Sequence, residues 1–317
     1  MTAVAPPRAL VLGATGFVGR HICSALRGAG YEISAVARRQ PVDPPDGKFV
    51  ALDIGAAAPA VLRELIDSYR PDVLVNTVGS IWGRTDEHMW SAAAQPVHQL
   101  VTALQEAEHR PWLVHLGSVL EYGAIGEGRD ASAQRSVARP TSAYGEAKLA
   151  ATNAVLGAVS AGRADAVVLR VANVAGPGSP EVSLLGRVAA HLLDAARSGT
   201  AAEITLDALV AHRDYVDVRD VADAVAAAAR VRMPGAVFDI GRGEATSVRD
   251  LVAMLISASG VQARLIERTA NPAQSAATAW TRVDIRDARE RLGWEPRRSL
   301  RESIEAFWRD VCRECDV

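Results

Sequence analysis

The stretch Ala9-Leu-Val-Leu-Gly13-Ala-Thr-Gly16-Phe-Val-Gly19-Arg20 passes from four apolar residues straight into three glycines spaced three apart. The apolar run reads as a buried strand, and a helix opens at once behind it. Glycine in that turn lets main-chain N–H groups at the helix N-terminus come close to a pyrophosphate. The spacing is weak by itself, but directly after a first strand it points to a dinucleotide site. Gly13, Thr15, Gly16, Phe17, Val18 and Gly19 are the expected cradle.

Outward from this turn, the first 175 residues alternate short apolar runs with Ala- and Leu-rich amphipathic stretches, the pattern of a parallel sheet wrapped by helices. Strands are expected at 9–13, 32–37, 49–52, 73–77, 112–117 and 166–171, with helices at 16–28, 58–69, 95–108 and 142–160. Beyond Gly176-Pro177-Gly178 the order is irregular. Helices are expected near 184–197, 218–229, 247–257 and 284–291, and a strand at 237–240. The fold class is therefore α/β: a Rossmann-type doubly wound parallel sheet with a smaller C-terminal α+β substrate domain. The expected division is 1–175 for the nucleotide, with 213–241 returning to it, and 176–212 plus 242–317 for the substrate.

The chain has 317 residues, 49 % of them hydrophobic, and a net charge of -2. No basic run or cationic stripe is present, so nucleic acid is not an expected partner. No apolar run reaches membrane-spanning length and the start does not read as a signal peptide, so a cytoplasmic protein is expected. Cys23, Cys312 and Cys315 make no disulfide framework, and Cys312-Arg-Glu-Cys315 reads as two reduced thiols on a terminal helix. The seven histidines are scattered, and no metal site is indicated.

Of 35 basic residues only Lys48 and Lys148 are lysines, and Lys148 lies four places after Tyr144 in Tyr144-Gly-Glu-Ala-Lys148. On a helix that spacing puts a phenol and an ammonium on one face. Using a phenol in proton transfer at neutral pH asks for a downward shift of about 3 units, roughly 4 kcal/mol. A fixed positive charge favours the phenolate and supplies part of it. Ser118, after the fifth strand, opens into the crevice at the carboxyl end of the sheet, placed to hydrogen-bond a carbonyl oxygen.

At the end of the second strand stand Arg38 and Arg39, where NAD-preferring proteins place an acid for the ribose. Paired guanidiniums suit a 2′-phosphate. NADP(H) is therefore the expected cofactor, with NAD(H) as the other option. Asp53 is placed to accept from an adenine amino group; Ile54, Thr77, Val78 and Gly79 are further expected cofactor contacts.

With these residues in hand the chain resembles the extended short-chain dehydrogenase/reductases, the nucleotide-sugar epimerase and dehydratase group, from residue 9 to about 307. The resemblance rests on Gly13, Gly16 and Gly19, on Asp53, on Ser118 four places before Tyr122-Gly123, and on Tyr144 and Lys148. It continues through Asn173-Val-Ala-Gly176, Arg213-Asp-Tyr-Val-Asp-Val-Arg-Asp220 and Leu292-Gly-Trp294-Glu-Pro296. It implies Ser118, Tyr144 and Lys148 as catalytic residues, with Lys148 also holding the nicotinamide ribose. It further implies Asn173 and Arg213 on a sugar-nucleotide diphosphate and a homodimer. Ser80 and Trp82 fall beside the substrate, in Val78-Gly-Ser-Ile-Trp82-Gly-Arg84, which departs from the family's usual run; Pro96 departs likewise.

The residues after Ser118 discriminate within the group. Dehydratases place acids or polar groups where this chain has Val119 and Leu120, and two aliphatic side chains cannot eliminate water. The chain looks closest to the GDP-4-keto-6-deoxymannose reductases, which implies NADPH-dependent reduction of a nucleotide-linked 4-keto-6-deoxyhexose. The alternatives are an NAD-dependent 4-epimerase, a ketoreductase for a non-sugar natural product, and a silent NADP-sensing binding protein.

Overall fold

Strands built from Val, Leu, Ile and Ala without alternation to polar residues must be covered on both faces, and here they are. The computed structural model describes residues 5–40, 47–79, 85–123, 138–269 and 282–314. The chain runs β1 (Arg8–Leu12), α1 (Phe17–Gly28), β2 (Glu32–Ala37), β3 (Lys48–Ala51), α2 (Pro59–Tyr69), β4 (Val73–Asn76), α3 (Gln95–Glu106), β5 (Trp112–Ser118), α4 (Ala143–Ser160) and β6 (Asp165–Val171). It continues with β7 (Asn173–Ala175), α5 (Leu184–Ser198), β8 (Ala202–Leu206), β9 (His212–Asp217), α6 (Val218–Arg230), β10 (Val237–Ile240), β11 (Ala245–Ser247), α7 (Val248–Ser259), β12 (Ala263–Glu267) and α8 (Leu300–Glu314).

Among the described residues the main sheet has seven parallel strands in the order β10-β6-β5-β4-β1-β2-β3. Successive side chains of a strand point to opposite faces. Val11, Val75 and Val114 pack with Ile22, Leu26 and Val225 of α1 and α6. Leu10, Leu74 and Leu113 pack with Leu62, Leu100 and Val155 of α2, α3 and α4. Ile22, Cys23 and Leu26 are the buried stripe of α1; burial of a side chain such as Leu26 stabilises by about 1.5–3 kcal/mol. The strand order reverses between β1 and β4, the crevice position where such sheets bind ligands.

Beyond β6, a three-stranded sheet β11-β9-β7 and a two-stranded sheet β12-β8 accompany a third core, in which Leu192, Leu255 and Phe307 of α5, α7 and α8 meet. Helix starts are capped as their sequences suggest: Ser142, Ser183 and Ser247 accept from Gly145, Gly186 and Asp250 main-chain N–H groups. No described helix is long and apolar enough to cross a membrane.

Two local differences from expectation have physical causes. The helix expected near 284–291 is found at 286–292, starting two residues late and with π geometry over Ala288–Leu292. Asp284 instead accepts from the Arg286 main-chain N–H and binds its guanidinium, holding the segment start in a side-chain-closed turn. Ahead of α3, Trp90–Ala94 forms a π-helical turn. Pro96 follows in the first turn of α3, and the wider turn accommodates a ring with no N–H to give.

Candidate active site

The carboxyl ends of β1, β2, β4, β5 and β6 open onto one cleft of about 1250 Å³. At its floor, Gly13 has φ +82°, donates to Val36 O at 2.9 Å and accepts from Gly16 N at 3.0 Å. A Cβ on Gly19 would lie 2.1 Å from Gly13 O, and one on Gly13 would lie 2.5 Å from Thr77 Oγ1. Glycine is required where helix and strand approach this closely. Gly16 precedes α1 with no side-chain cap and no acid in the first turn, so the leading amides face the cleft as a ready anion site. The cradle fits a dinucleotide pyrophosphate.

Gly13, Thr15, Gly16, Phe17, Val18, Gly19, Arg38, Arg39, Asp53, Ile54, Thr77, Val78 and Gly79 all line this cleft, as do Ser118, Tyr144, Lys148 and Asn173. Ser80 and Trp82 lie outside the described residues. Arg213 is not among the lining residues; it donates to His212 O at 2.9 Å, while Asn173 donates to Asp214 O at 3.3 Å. Asp53 accepts from Gly55 N at 3.0 Å in a turn ahead of α2.

Ser118 ends β5 and caps the short 3-10 turn Val119–Tyr122: its Oγ accepts from Leu120 N, and its own N–H donates to Glu121. Tyr144 stands in the first turn of α4 and Lys148 one turn on. Lys148, 3 % exposed, donates to Leu116 O. Burial pulls its ammonium from 10.5 down to about 8, and the Glu121 charge works against that fall. Tyr144 departs from expectation. Burial first, then the Glu121 charge, pushes its phenol above its ordinary value, because a buried phenolate loses its hydration and faces a like charge.

The layer beneath the cleft carries residues that no local sequence pattern marks. Glu121 is fully buried with Arg170 and Thr152 around it. His115, buried and held neutral by desolvation, pairs with Asn76 across β5 and β4. The Tyr122 hydroxyl donates to Asp239 at 2.7 Å, so this second tyrosine is committed to the interior. A readable signal was Arg170, a cation inside the otherwise apolar run 166–171, which demands a buried acid.

The model of the NAD dependent epimerase/dehydratase family matches residues 9–241. Over 304 residues the chain is 43 % identical to a dTDP-6-deoxy-L-talose 4-dehydrogenase (NAD(P)(+)) of Kitasatospora kifunensis, covering 96 % of this chain and 95 % of that protein. Among solved structures, the UDP-glucose 4-epimerase of Thermotoga maritima with UDP-glucose superposes with a TM-score of 0.85 at 20 % identity, covering 97 % and 99 % of the two chains. MoeE5 in complex with UDP-glucuronic acid and NAD gives 0.82 at 26 %, with the same coverage.

These structures correct the NADP(H) preference expected from Arg38 and Arg39. NAD is the dinucleotide in the MoeE5 complexes, in the Thermus thermophilus UDP-glucose 4-epimerase (TM-score 0.80, 21 % identity, 96 % and 98 % covered) and in a Bacillus cereus UDP-glucuronic acid 4-epimerase (0.77, 20 %, 97 % and 99 %). NADPH occurs in the Pseudomonas aeruginosa RMD structure (0.81, 20 %, 98 % and 99 %). The physical reason is plain in this chain: both guanidiniums are exposed at the rim, and water satisfies such a pair without a 2′-phosphate. From the matched family model, the full-length relative and the shared fold, the chain belongs to the NAD dependent epimerase/dehydratase family and is an NAD(P)-dependent oxidoreductase.

Proposed function

We propose that the protein interconverts the alcohol and ketone at carbon 4 of a nucleotide-linked 6-deoxyhexose with NAD(H). The observation that carries this reading is the meeting of Ser118, Tyr144 and Lys148 in one cleft with the glycine cradle. The 43 % identical relative, named a 4-dehydrogenase of a dTDP-linked 6-deoxy sugar, supports carbon 4 and the substrate class. Specific NADPH-dependent keto reduction, the expectation from the sequence, is not singled out by the relatives.

Gly13, Gly16, Gly19, Asp53 and Lys148 would hold the dinucleotide, and its nicotinamide, when bound, supplies the hydride acceptor and donor. Tyr144 exchanges the proton of the carbon 4 hydroxyl. A phenol held above its ordinary value keeps its proton at neutral pH and gives it to the alkoxide formed in the reductive direction. In the oxidative direction the phenolate must form, and the Lys148 ammonium stabilises it. Ser118 Oγ, which accepts from Leu120 N, retains its own hydrogen for the substrate oxygen. Val119 and Leu120 offer no acid or base for dehydration.

A second reading, 4-epimerisation with retained NAD, is favoured by the UDP-sugar 4-epimerases among the structures of this fold. Incubation of the protein with NAD+ and a dTDP-6-deoxyhexose bearing a free carbon 4 hydroxyl separates the two. Stoichiometric NADH and ketone support the dehydrogenase; a carbon 4 epimer without net NADH supports the epimerase. Neither product would remove both.

A further inference from the structure

The acid Glu121 is absent from the cleft lining and 0 % exposed, yet it touches three elements that carry the cleft. Its Oε1 accepts from Ser118 N at 2.8 Å, at the end of β5, and from Thr152 Oγ1 at 3.0 Å, on α4. Its Oε2 accepts from Arg170 Nε at 2.7 Å, on β6. Every one of these partners donates; burial pushes the Glu121 carboxyl above its ordinary value, and the Arg170 guanidinium and the Ser118 N–H act against that rise in favour of the carboxylate. Thr152 follows Tyr144 and Lys148 at successive four-residue steps, so one face of α4 carries the phenol, the ammonium and the hydroxyl that grips Glu121. The space is closed on the strand side, where a Cβ on Gly117 would lie 2.6 Å from Oε1.

The groups facing Glu121 are Tyr144, Lys148 and Thr152 from α4, Arg170 from β6, Ser118 from β5, and its neighbour Tyr122, whose hydroxyl goes to Asp239 on β10. Arg170 also lies over the Tyr122 ring, 4.6 Å from its centre, which fixes the guanidinium from its other side.

We infer that Glu121 is a positioning residue for the proposed hydride-transfer chemistry, fastening the main chain of Ser118 to α4 so that Ser118 and Tyr144 address one substrate oxygen. This rests on the reading under Proposed function. The buried negative charge also bears on the reacting pair: it holds the proton on both Tyr144 and Lys148 more tightly. Removing it therefore lowers the titration of both groups.

Glu121→Gln keeps the shape and removes the charge. The expected result is NADH affinity within about two-fold of wild type, kcat reduced by tenfold or more with KM little changed, and the acid limb of the oxidation profile moved to lower pH. A purely structural residue would not move that limb. Thr152→Val, which removes one hydrogen bond and no charge, is expected to lower kcat while leaving the limb in place. If Glu121→Gln does not fold, Thr152→Val decides, and wild-type kcat in it overturns the inference. Because the chain has only Lys48 and Lys148, lysine labelled with carbon-13 at Cε gives a substrate-free readout. The Lys148 midpoint, about 8 in wild type, is expected to fall in Glu121→Gln. An inactive wild type defeats the proposed function and leaves this midpoint as the deciding test. An unmoved midpoint or an unmoved limb in folded Glu121→Gln overturns the inference.

Discussion

Lys148 gives its ammonium to the main-chain oxygen of Leu116 at 2.5 Å, two residues before Ser118. The contact anchors α4 to the end of β5, and it places a cation where burial is nearly complete. A lysine whose folded value lies below its unfolded value costs stability wherever the unfolded chain holds the extra proton.

That cost sets a pH-dependent prediction. Lys148 titrates at about 8 in the folded protein against 10.5 when unperturbed. The penalty is fully present below about pH 8 and disappears as pH rises toward 10.5, on the order of 3 kcal/mol in all. Lys148→Met is expected to lose turnover and gain melting temperature at pH 7, with the gain shrinking as pH is raised. Thermal melts of both proteins across that range check it, and a gain that grows with pH would contradict the sign.

Two tyrosines give opposite outcomes to one substitution. Tyr144→Phe is expected to cut turnover at least a thousandfold while leaving NADH affinity intact, because only the proton carrier is removed. Unchanged turnover would take Tyr144 out of the chemistry.

Tyr122→Phe is expected instead to act on stability. Its hydroxyl satisfies the buried Asp239, and losing a donor to a buried carboxylate costs about 1–3 kcal/mol. Chemical denaturation should show that loss with NADH affinity unchanged.

Gly19→Ala tests the cradle. The added methyl would lie 2.1 Å from Gly13 O, so the turn and α1 must separate. At least a tenfold loss of NADH affinity is expected by fluorescence titration, together with a lower melting temperature.

What the sequence made legible follows what dictates structure locally. The glycine turn, the six strands expected in the first 175 residues and the four helices among them are found within two residues of their expected bounds, because continuous apolar runs set the strands apart from Ala- and Leu-rich helical stretches there. The short strands β7, β8, β9, β11 and β12 were not read. In β9, His212-Arg-Asp-Tyr-Val-Asp217 looks like loop, yet Asp214 is fully buried and accepts from the main chain of Arg242, Gly243 and Val283. Long-range hydrogen bonds of that kind leave no local pattern. The cleft residues were legible because their chemistry needs rare types at fixed spacing. Glu121 was not, because its partners Thr152 and Arg170 lie 31 and 49 residues away. The cofactor preference misled because an exposed arginine pair looks alike with or without a phosphate to bind.

The central claim is hydride transfer at carbon 4, and isotope transfer measures it most directly. A dTDP-6-deoxyhexose carrying deuterium at carbon 4 would be mixed with excess protein and NAD+, quenched early, and the nicotinamide examined by mass spectrometry. The account predicts deuterium on the nicotinamide ring, absent with Tyr144→Phe. Turnover that leaves carbon 4 neither oxidised nor epimerised, with the label kept there and the nicotinamide unlabelled, would contradict it; a carbon 4 epimer that keeps the label is the outcome of the second reading.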